Sequence, residues 1–307
     1  KELNIFLIDN NISENNKKKL EGMIAVFDRT LTYLNHPDIE KRSATEINVG
    51  RWNISTFYRL FLPSMLPETV KRVLFIDCDT LVMQDLTPLW EMDMKDMWLY
   101  GVDDCRGAAY RTNLGLKPTD NYINNGVLLV DLEAWRKNNV EDMFLQYIRE
   151  NQGDITFVDQ GVQNGVLSKL GRSGLLHPKY NCMTVFFAFD YKNLIKLRKP
   201  PVPGDPAQYQ EAVKNPAIVH FQSCFRMSIR PWVEGCKHPY AKTYLEYKAK
   251  SPWKDTPMMP DDRTVPQKLL SFVTSIMPEG LMVGSISFVH TTIYPFARNL
   301  RQRMNRK

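Results

Sequence analysis

Two carboxylates stand one residue apart at the end of an apolar run, Val73-Leu74-Phe75-Ile76 followed by Asp77-Cys78-Asp79. In extended backbone, residues i and i+2 project to the same side, so a bend at the strand end lets both side chains reach one cation. Hard oxygen donors of this kind suit Mg²⁺ or Mn²⁺, and a divalent ion there can neutralise a diphosphate. The same letters allow a second chemistry, in which Asp77 is a covalent nucleophile and Asp79 its general acid/base. A solvated strand end or a helix cap also accounts for the pair, so the elements around it must decide.

Those elements alternate. Residues 3–8 read as a buried strand, and Asp9-Asn10-Asn11 as a turn. Ser13 is placed to cap a helix running to about Phe27. The stretch 28–50 reads as irregular and polar. Ser55 or Thr56 can cap a second helix carrying Tyr58, Leu60, Phe61 and Leu62, interrupted by Pro63 and Pro67. The run 73–76 fits a central strand covered on both faces. Further strands are expected at 98–102, 126–130 and 217–219, helices at 131–138, 140–150 and 158–168, and a polar loop at about 198–215. This alternation predicts an α/β sandwich with a mostly parallel sheet, whose ligands lie beyond the carboxyl ends of the strands. Asp77 and Asp79, Asn124 and Asn125 just before a strand, and His220 at the end of another are the polar, metal-competent residues at such positions.

The chain has 307 residues, 43% hydrophobic and 24% charged, which excludes disorder, collagen and a disulfide miniprotein and leaves room for a full core. Forty Lys+Arg against 34 Asp+Glu give +6. Residues 265–307 hold six bases (Lys268, Arg298, Arg301, Arg303, Arg306, Lys307) and one acid (Glu279), or +5, so the remainder is about +1. A nearly neutral body argues against nucleic acid as a partner. The basic end, mixed with Leu269, Phe272, Ile276, Phe288 and Phe296 and interrupted by Pro278-Glu279-Gly280, suggests an anionic membrane surface, with a packed C-terminal helix as the alternative. The five cysteines form no CxxC, which favours neither disulfides nor zinc and points to a reducing compartment. No run of 18 apolar residues exists to span a membrane, and no secretory signal opens the chain.

Two enzyme families use an Asp-x-Asp after an apolar strand. Phe75 to Thr80 fits the first motif of haloacid-dehalogenase-like phosphatases, but a convincing downstream Lys and an acidic Gly-Asp-x-x-x-Asp motif are missing. The other segments are Tyr58-Arg59-Leu60, Asp85-Leu86-Thr87-Pro88-Leu89-Trp90, Tyr122-Ile123-Asn124-Asn125-Gly126 through Leu132 and Trp135, Asp159-Gln160-Gly161-Val162-Gln163-Asn164, and His220 with Arg230-Pro231-Trp232. In this order, from about residue 3 to 250, the set resembles glycosyltransferase family 8, a retaining family that includes lipooligosaccharide α-galactosyltransferases and glycogenin. The resemblance implies a single nucleotide-sugar transferase domain of GT-A type over residues 1–250, with a helical, basic and aromatic extension over 251–307. It implies Asp77, Asp79 and His220 as ligands of Mn²⁺, with Mg²⁺ as an alternative. It places Arg59, Asp77, Asn124, Asn125, Asp159 and Gln160 at the donor sugar and Arg230 at the donor phosphates. Asp159 and Gln160 take the catalytic positions, Gln160 beneath the anomeric carbon. An amide is a poor nucleophile, so same-face attack beside the departing diphosphate is favoured over double displacement. The implied reaction moves glucose or galactose from UDP-glucose or UDP-galactose to a hydroxyl of a glycan or glycolipid precursor, at the cytoplasmic face of a membrane. A non-catalytic binding subunit is the remaining alternative.

The sequence departs from the family pattern in three places. Between His220 and Trp232 there is no glycine, and Arg230 stands where relatives carry a lysine. Lys1 begins about one strand and one helix later than relatives do, which puts recognition of the nucleotide base in question. Asn11-Ile12-Ser13 and Asn53-Ile54-Ser55 are glycosylation sequons, relevant only in a secretory lumen.

Overall fold

The computed structural model describes residues 3–297. Strands β1 (Ile5–Asp9) and β2 (Leu31–Asn35) pair in parallel. The central sheet holds β3 (Arg72–Ile76), β5 (Leu99–Asp103), β6 (Ile123–Asp131) and β7 (Ser173–Leu175) in the order β3-β6-β5-β7. A small sheet holds β4 (Thr80–Val82), β8 (Cys182–Met183) and β9 (Ile218–His220) in the order β4-β9-β8.

The α/β architecture is as expected, but the pairing within the central sheet is mixed. Strand β6 runs antiparallel to both β3 and β5, and only β5 with β7 is parallel. The expectation of a mostly parallel sheet came from unbroken apolar runs, which report burial of both faces and carry no information on direction. Strand β6 has both faces covered. Leu128 and Val130 enter one core with Phe57, Phe61, Trp135 and Phe144, while Leu129 enters another with Val102, Met183, Phe186 and Leu194.

Three local expectations are corrected. The stretch 28–50 contains β2, whose Leu31, Tyr33 and Asn35 alternate with Thr32 and Leu34 in strand fashion. The second helix is a 3₁₀ segment, Ile54–Phe61, capped by the Asn53 side chain two residues before Ser55, the nearer of the two proposed. The loop 198–215 contains a helix, Pro206–Lys214, started by an Asp205 cap and a proline at its first position and buried through Tyr209 and Ala212.

The C-terminal part is helical and broken at Pro278, as the sequence indicated. Helix Glu279–Phe288 packs Met282 and Val283 into the second core, and the Ser287 hydroxyl donates to the Lys196 carbonyl at 2.9 Å. Helix Val265–Ile276 buries only Thr274 and leaves Leu269, Phe272 and Ile276 exposed. Arg298 to Lys307, the basic cluster, lies outside the described residues. Among the described residues no helix is long and apolar enough to cross a membrane.

Candidate active site

The chain passes from the central sheet to the small sheet through Asp77-Cys78-Asp79. Strand β3 ends at Ile76, the Asp77 amide donates to the Gly126 carbonyl of β6 at 2.8 Å, and β4 begins at Thr80. Strands β4 and β9 are antiparallel with Thr80 opposite His220, and the Phe221 amide donates to the Asp79 carbonyl at 2.9 Å. This register brings a histidine some 140 residues away in sequence against the acidic pair. His220 Nε2 lies 3.1 Å from Asp79 Oδ1 and 4.0 Å from Asp77 Oδ2. One donor atom from each of the three residues falls within 4.8 Å of the others. Two carboxylate oxygens and an imidazole at that spacing can hold a divalent cation of the Mn²⁺ type and leave further positions for phosphate oxygens.

Each carboxylate divides its two oxygens. Asp77 gives Oδ1 to Arg59 Nη2 at 2.8 Å, and Asp79 gives Oδ2 to Arg230 Nη1 at 3.2 Å. The oxygens that remain face His220. Burial pushes the Asp79 carboxyl upward, but the His220 contact and then Arg230 outweigh it and hold it below the usual carboxylate value. The anionic form, the one a cation needs, is thereby favoured.

The orientation of His220 is fixed through a chain of amides that starts from one backbone proton. The Gly126 N–H donates to Asn124 Oδ1 at 3.0 Å, which makes that atom the acceptor. Asn181 Nδ2 donates to the same oxygen at 2.8 Å, so Asn181 turns its Oδ1 to His220 Nδ1, also 2.8 Å away. Nδ1 is therefore held as a donor to Asn181, and Nε2 is the ring nitrogen turned toward Asp77 and Asp79, where it can serve as a ligand to a bound cation. In the other direction Asn124 Nδ2 donates to Gln160 Oε1 at 3.2 Å, and Gln160 Nε2 donates to Asp104 Oδ2 at 2.9 Å. The ion site and Gln160 thus belong to one polar network.

Asp159 and Gln160 open the helix Val158–Gln163 after two consecutive residues at positive φ, Phe157 at 61° and the β-branched Val158 at 45°. Such backbone is costly outside glycine and marks a site whose surroundings enforce it. Asp159 Oδ2 accepts from Asn125 Nδ2 at 2.8 Å and lies 3.2 Å from Arg59 Nε. Arg59 therefore bridges Asp77 and Asp159. Burial acts against its cation, but the two carboxylates prevail and raise its pKa. Burial raises the Asp159 carboxyl, with Arg59 and Asn125 only partly opposing. Removal of Arg59 would strand two acids, one of them deeply buried, at a cost of about 3–5 kcal/mol.

All the residues expected at the site line one cavity of about 720 Å³: Arg59, Asp77, Asp79, Asn124, Asn125, Asp159, Gln160, His220 and Arg230. One detail differs. Asn124 and Asn125 do not precede a strand but lie buried inside β6, because the pairing with β5 continues upstream to Ile123, opposite Asp103. Three further members were not foreseen. Asn181 orients His220, Asp104 anchors Gln160, and Arg106 Nε holds Asp104 Oδ2 at 2.8 Å. Burial pushes Asp104 up, but Arg106 and Arg198 bring it below its ordinary value. The Asp104 signal was present in the sequence, as a polar residue just past a predicted strand. Asp104 Oδ1 and Asn125 Oδ1 are buried with no hydrogen-bond partner among the described residues, as acceptors awaiting ligand hydroxyls are.

A mixed sheet with an acidic pair at a strand exit, a late histidine across from it and an amide-lined cavity define a GT-A-type nucleotide-sugar transferase fold. The family model for glycosyl transferase family 8 matches residues 1–235, and the chain belongs to that family. It is accordingly a retaining glycosyltransferase, acting with a nucleotide-sugar donor and a glycan acceptor, and the phosphatase reading of Asp77 and Asp79 is set aside. General stress protein A of Bacillus subtilis is 29% identical over 82% of this chain and 84% of its own length. Lipopolysaccharide 1,2-glucosyltransferase of Escherichia coli is 21% identical over 74% of this chain and 62% of its own length. The structure of galactosyltransferase LgtC in complex with donor and acceptor sugar analogs superposes with a TM-score of 0.67, covering 82% of this chain and 86% of that one at 23% identity.

Proposed function

We propose that this chain transfers glucose or galactose from a UDP-sugar to a hydroxyl of a cell-surface glycan or glycolipid precursor, with retention and with a divalent cation held by Asp77, Asp79 and His220. The observation that carries the reading is the continuity of one polar network from His220 through Asn181 and Asn124 to Gln160. It ties a diphosphate-competent site to an amide at the floor of the same cavity. Mn²⁺, or Mg²⁺ in its place, supplies Lewis acidity that stabilises the departing diphosphate. Arg230 binds phosphate oxygens beside Asp79, bidentately where the lysine of relatives acts as a point charge. Arg59 bridges and orients Asp77 and Asp159, and Asp159 and Asn125 accept donor-sugar hydroxyls. Gln160, held at both ends of its amide, presents its oxygen to the developing oxocarbenium ion, and the acceptor hydroxyl enters on the face from which the diphosphate leaves.

The same proposal assigns residues 1–250 to the transferase and 251–307 to an extension that rests on the inner face of a membrane. The exposed Leu269, Phe272, Ile276, Phe288 and Phe296 support it. Vesicle flotation with and without 265–307 tests that part, and equal flotation contradicts it.

The reaction is tested by incubating the protein with UDP-glucose and UDP-galactose in Mn²⁺ or EDTA and following the released sugar by NMR. Water acting as acceptor should give the α-anomer first, in Mn²⁺ only. Release of the β-anomer first, or release that persists in EDTA, contradicts the proposal.

A further inference from the structure

A second cavity of about 750 Å³ adjoins the first. The two share Arg51, Trp52, Arg106, Phe157, Arg198 and Ser223, and the second continues to the C-terminal helices at Leu270 and Thr291. Among the described residues four arginines line it (Arg51, Arg106, Arg198 and Arg263), against one acid, Asp154. Two of the four are engaged. Arg263 grips Asp261 through Nε at 2.8 Å and Nη2 at 2.9 Å, and Arg106 holds Asp104. Among the described residues Arg198 has neither a hydrogen bond nor an ion pair, and Arg51 lies against the Trp52 ring, 4.7 Å from its centroid. Burial lowers the pKa of Arg198 and repulsion from Arg106 lowers it further, with Asp104 only partly opposing.

A half-buried guanidinium with no directly bonded partner, beside a second one, is unfavourable, and an anion would relieve it. The donor does not supply that anion. Its phosphates belong at Asp77, Asp79, His220 and Arg230, and its sugar sits among Asp77, Asp104 and Asp159, carboxylates that repel a negative sugar. The second cavity meets the donor cavity at Arg106, Phe157 and Arg198, and its Trp52, Tyr110 and Phe157 offer flat apolar faces to a sugar ring.

We infer that the acceptor is an anionic saccharide, bearing a phosphate or a carboxylate, and that Arg198, with Arg51 and Arg106 at its sides, receives the charged group. This deepens the transferase reading and rests on it. Arg198 is a specificity determinant here.

Calorimetry on the full chain saturated with UDP and Mn²⁺ tests the inference, with glucose 6-phosphate, glucuronate and glucose as probes. A charge-assisted contact predicts that one of the anionic sugars binds about tenfold or more tighter than glucose, and the tighter of the two tells phosphate from carboxylate. Arg198→Gln should erase that preference and leave UDP binding unchanged. Equal binding of all three probes by a wild-type protein that binds UDP, or an undiminished preference in Arg198→Gln, overturns the inference alone. Failure of the wild type to bind UDP overturns the transferase reading together with it.

Discussion

The imidazole of His220 lies against the bare Cα of Gly126: a β-carbon there would stand 2.1 Å from His220 Cε1 and 2.3 Å from Nδ1. No side chain fits at that distance, and the ring cannot retreat without leaving Asn181. Gly126 is thus a glycine for reasons of space, inside strand β6, where its entropy makes it otherwise unfavourable. Gly126→Ala should keep the fold, by circular dichroism, and weaken Mn²⁺-dependent UDP binding roughly 10–100-fold. Unchanged binding would mean that the position of His220 does not matter to the ion.

Asn181 touches neither the carboxylates nor the cavity's donor region, and acts only through His220 Nδ1 and Asn124 Oδ1. Asn181→Ala frees the imidazole to rotate or change tautomer. The Mn²⁺ concentration for half-maximal hydrolysis should rise roughly 10–100-fold, with activity largely restored at saturating metal. A loss that excess Mn²⁺ does not repair would place Asn181 elsewhere in the mechanism.

Gln160 has its oxygen turned to Asn124 and its nitrogen to Asp104. If it stabilises charge and forms no bond to the sugar, Gln160→Ala should slow transfer by about 10²–10³-fold and leave UDP binding intact. Complete loss with intact binding, or a trapped sugar adduct, would favour a covalent role.

Stability should carry its own pH signature. His238 is packed among Phe187, Phe221 and Tyr240, its Nδ1 accepts from the Tyr240 amide at 3.1 Å, and burial lowers its pKa to about 4. A folded pKa below the unfolded value of roughly 6.5 means that the unfolded chain takes up the proton first. The stabilisation is complete above pH 6.5 and is lost as pH falls toward 4, by roughly 3 kcal/mol in all. Asp103 works the other way. Burial, only partly offset by Arg111, raises its carboxyl to about 6, so protonation near that pH favours the folded state. The two are separated by mutation. His238→Asn keeps an acceptor for the Tyr240 amide, and in urea unfolding it should lose less stability than wild type between pH 7.5 and 5. An identical acid loss in both proteins would contradict the assignment.

The parts of the site that the sequence disclosed are those written as local motifs. Asp77 and Asp79 announce themselves by spacing after an apolar strand, and Asp159-Gln160 and Asn124-Asn125 by adjacency. His220 was legible as a polar strand end, but its meeting with Asp79 came only through resemblance, since it depends on the register of β4 and β9, which no local pattern encodes. Asn181 and Arg106 belong to no motif, and each acts through a neighbour distant in sequence. The direction of β6 was hidden for a related reason. An apolar run records that both faces are covered, and antiparallel strands sandwiched between two cores read the same as parallel ones.

The central claim is that the aspartates and a divalent cation jointly make the donor site, and calorimetric titration of UDP into the protein tests it most directly. The account predicts binding in Mn²⁺ that disappears in EDTA and in Asp77→Ala/Asp79→Ala, with each protein still folded. UDP binding of equal strength in EDTA, or in the doubly substituted protein, would contradict it.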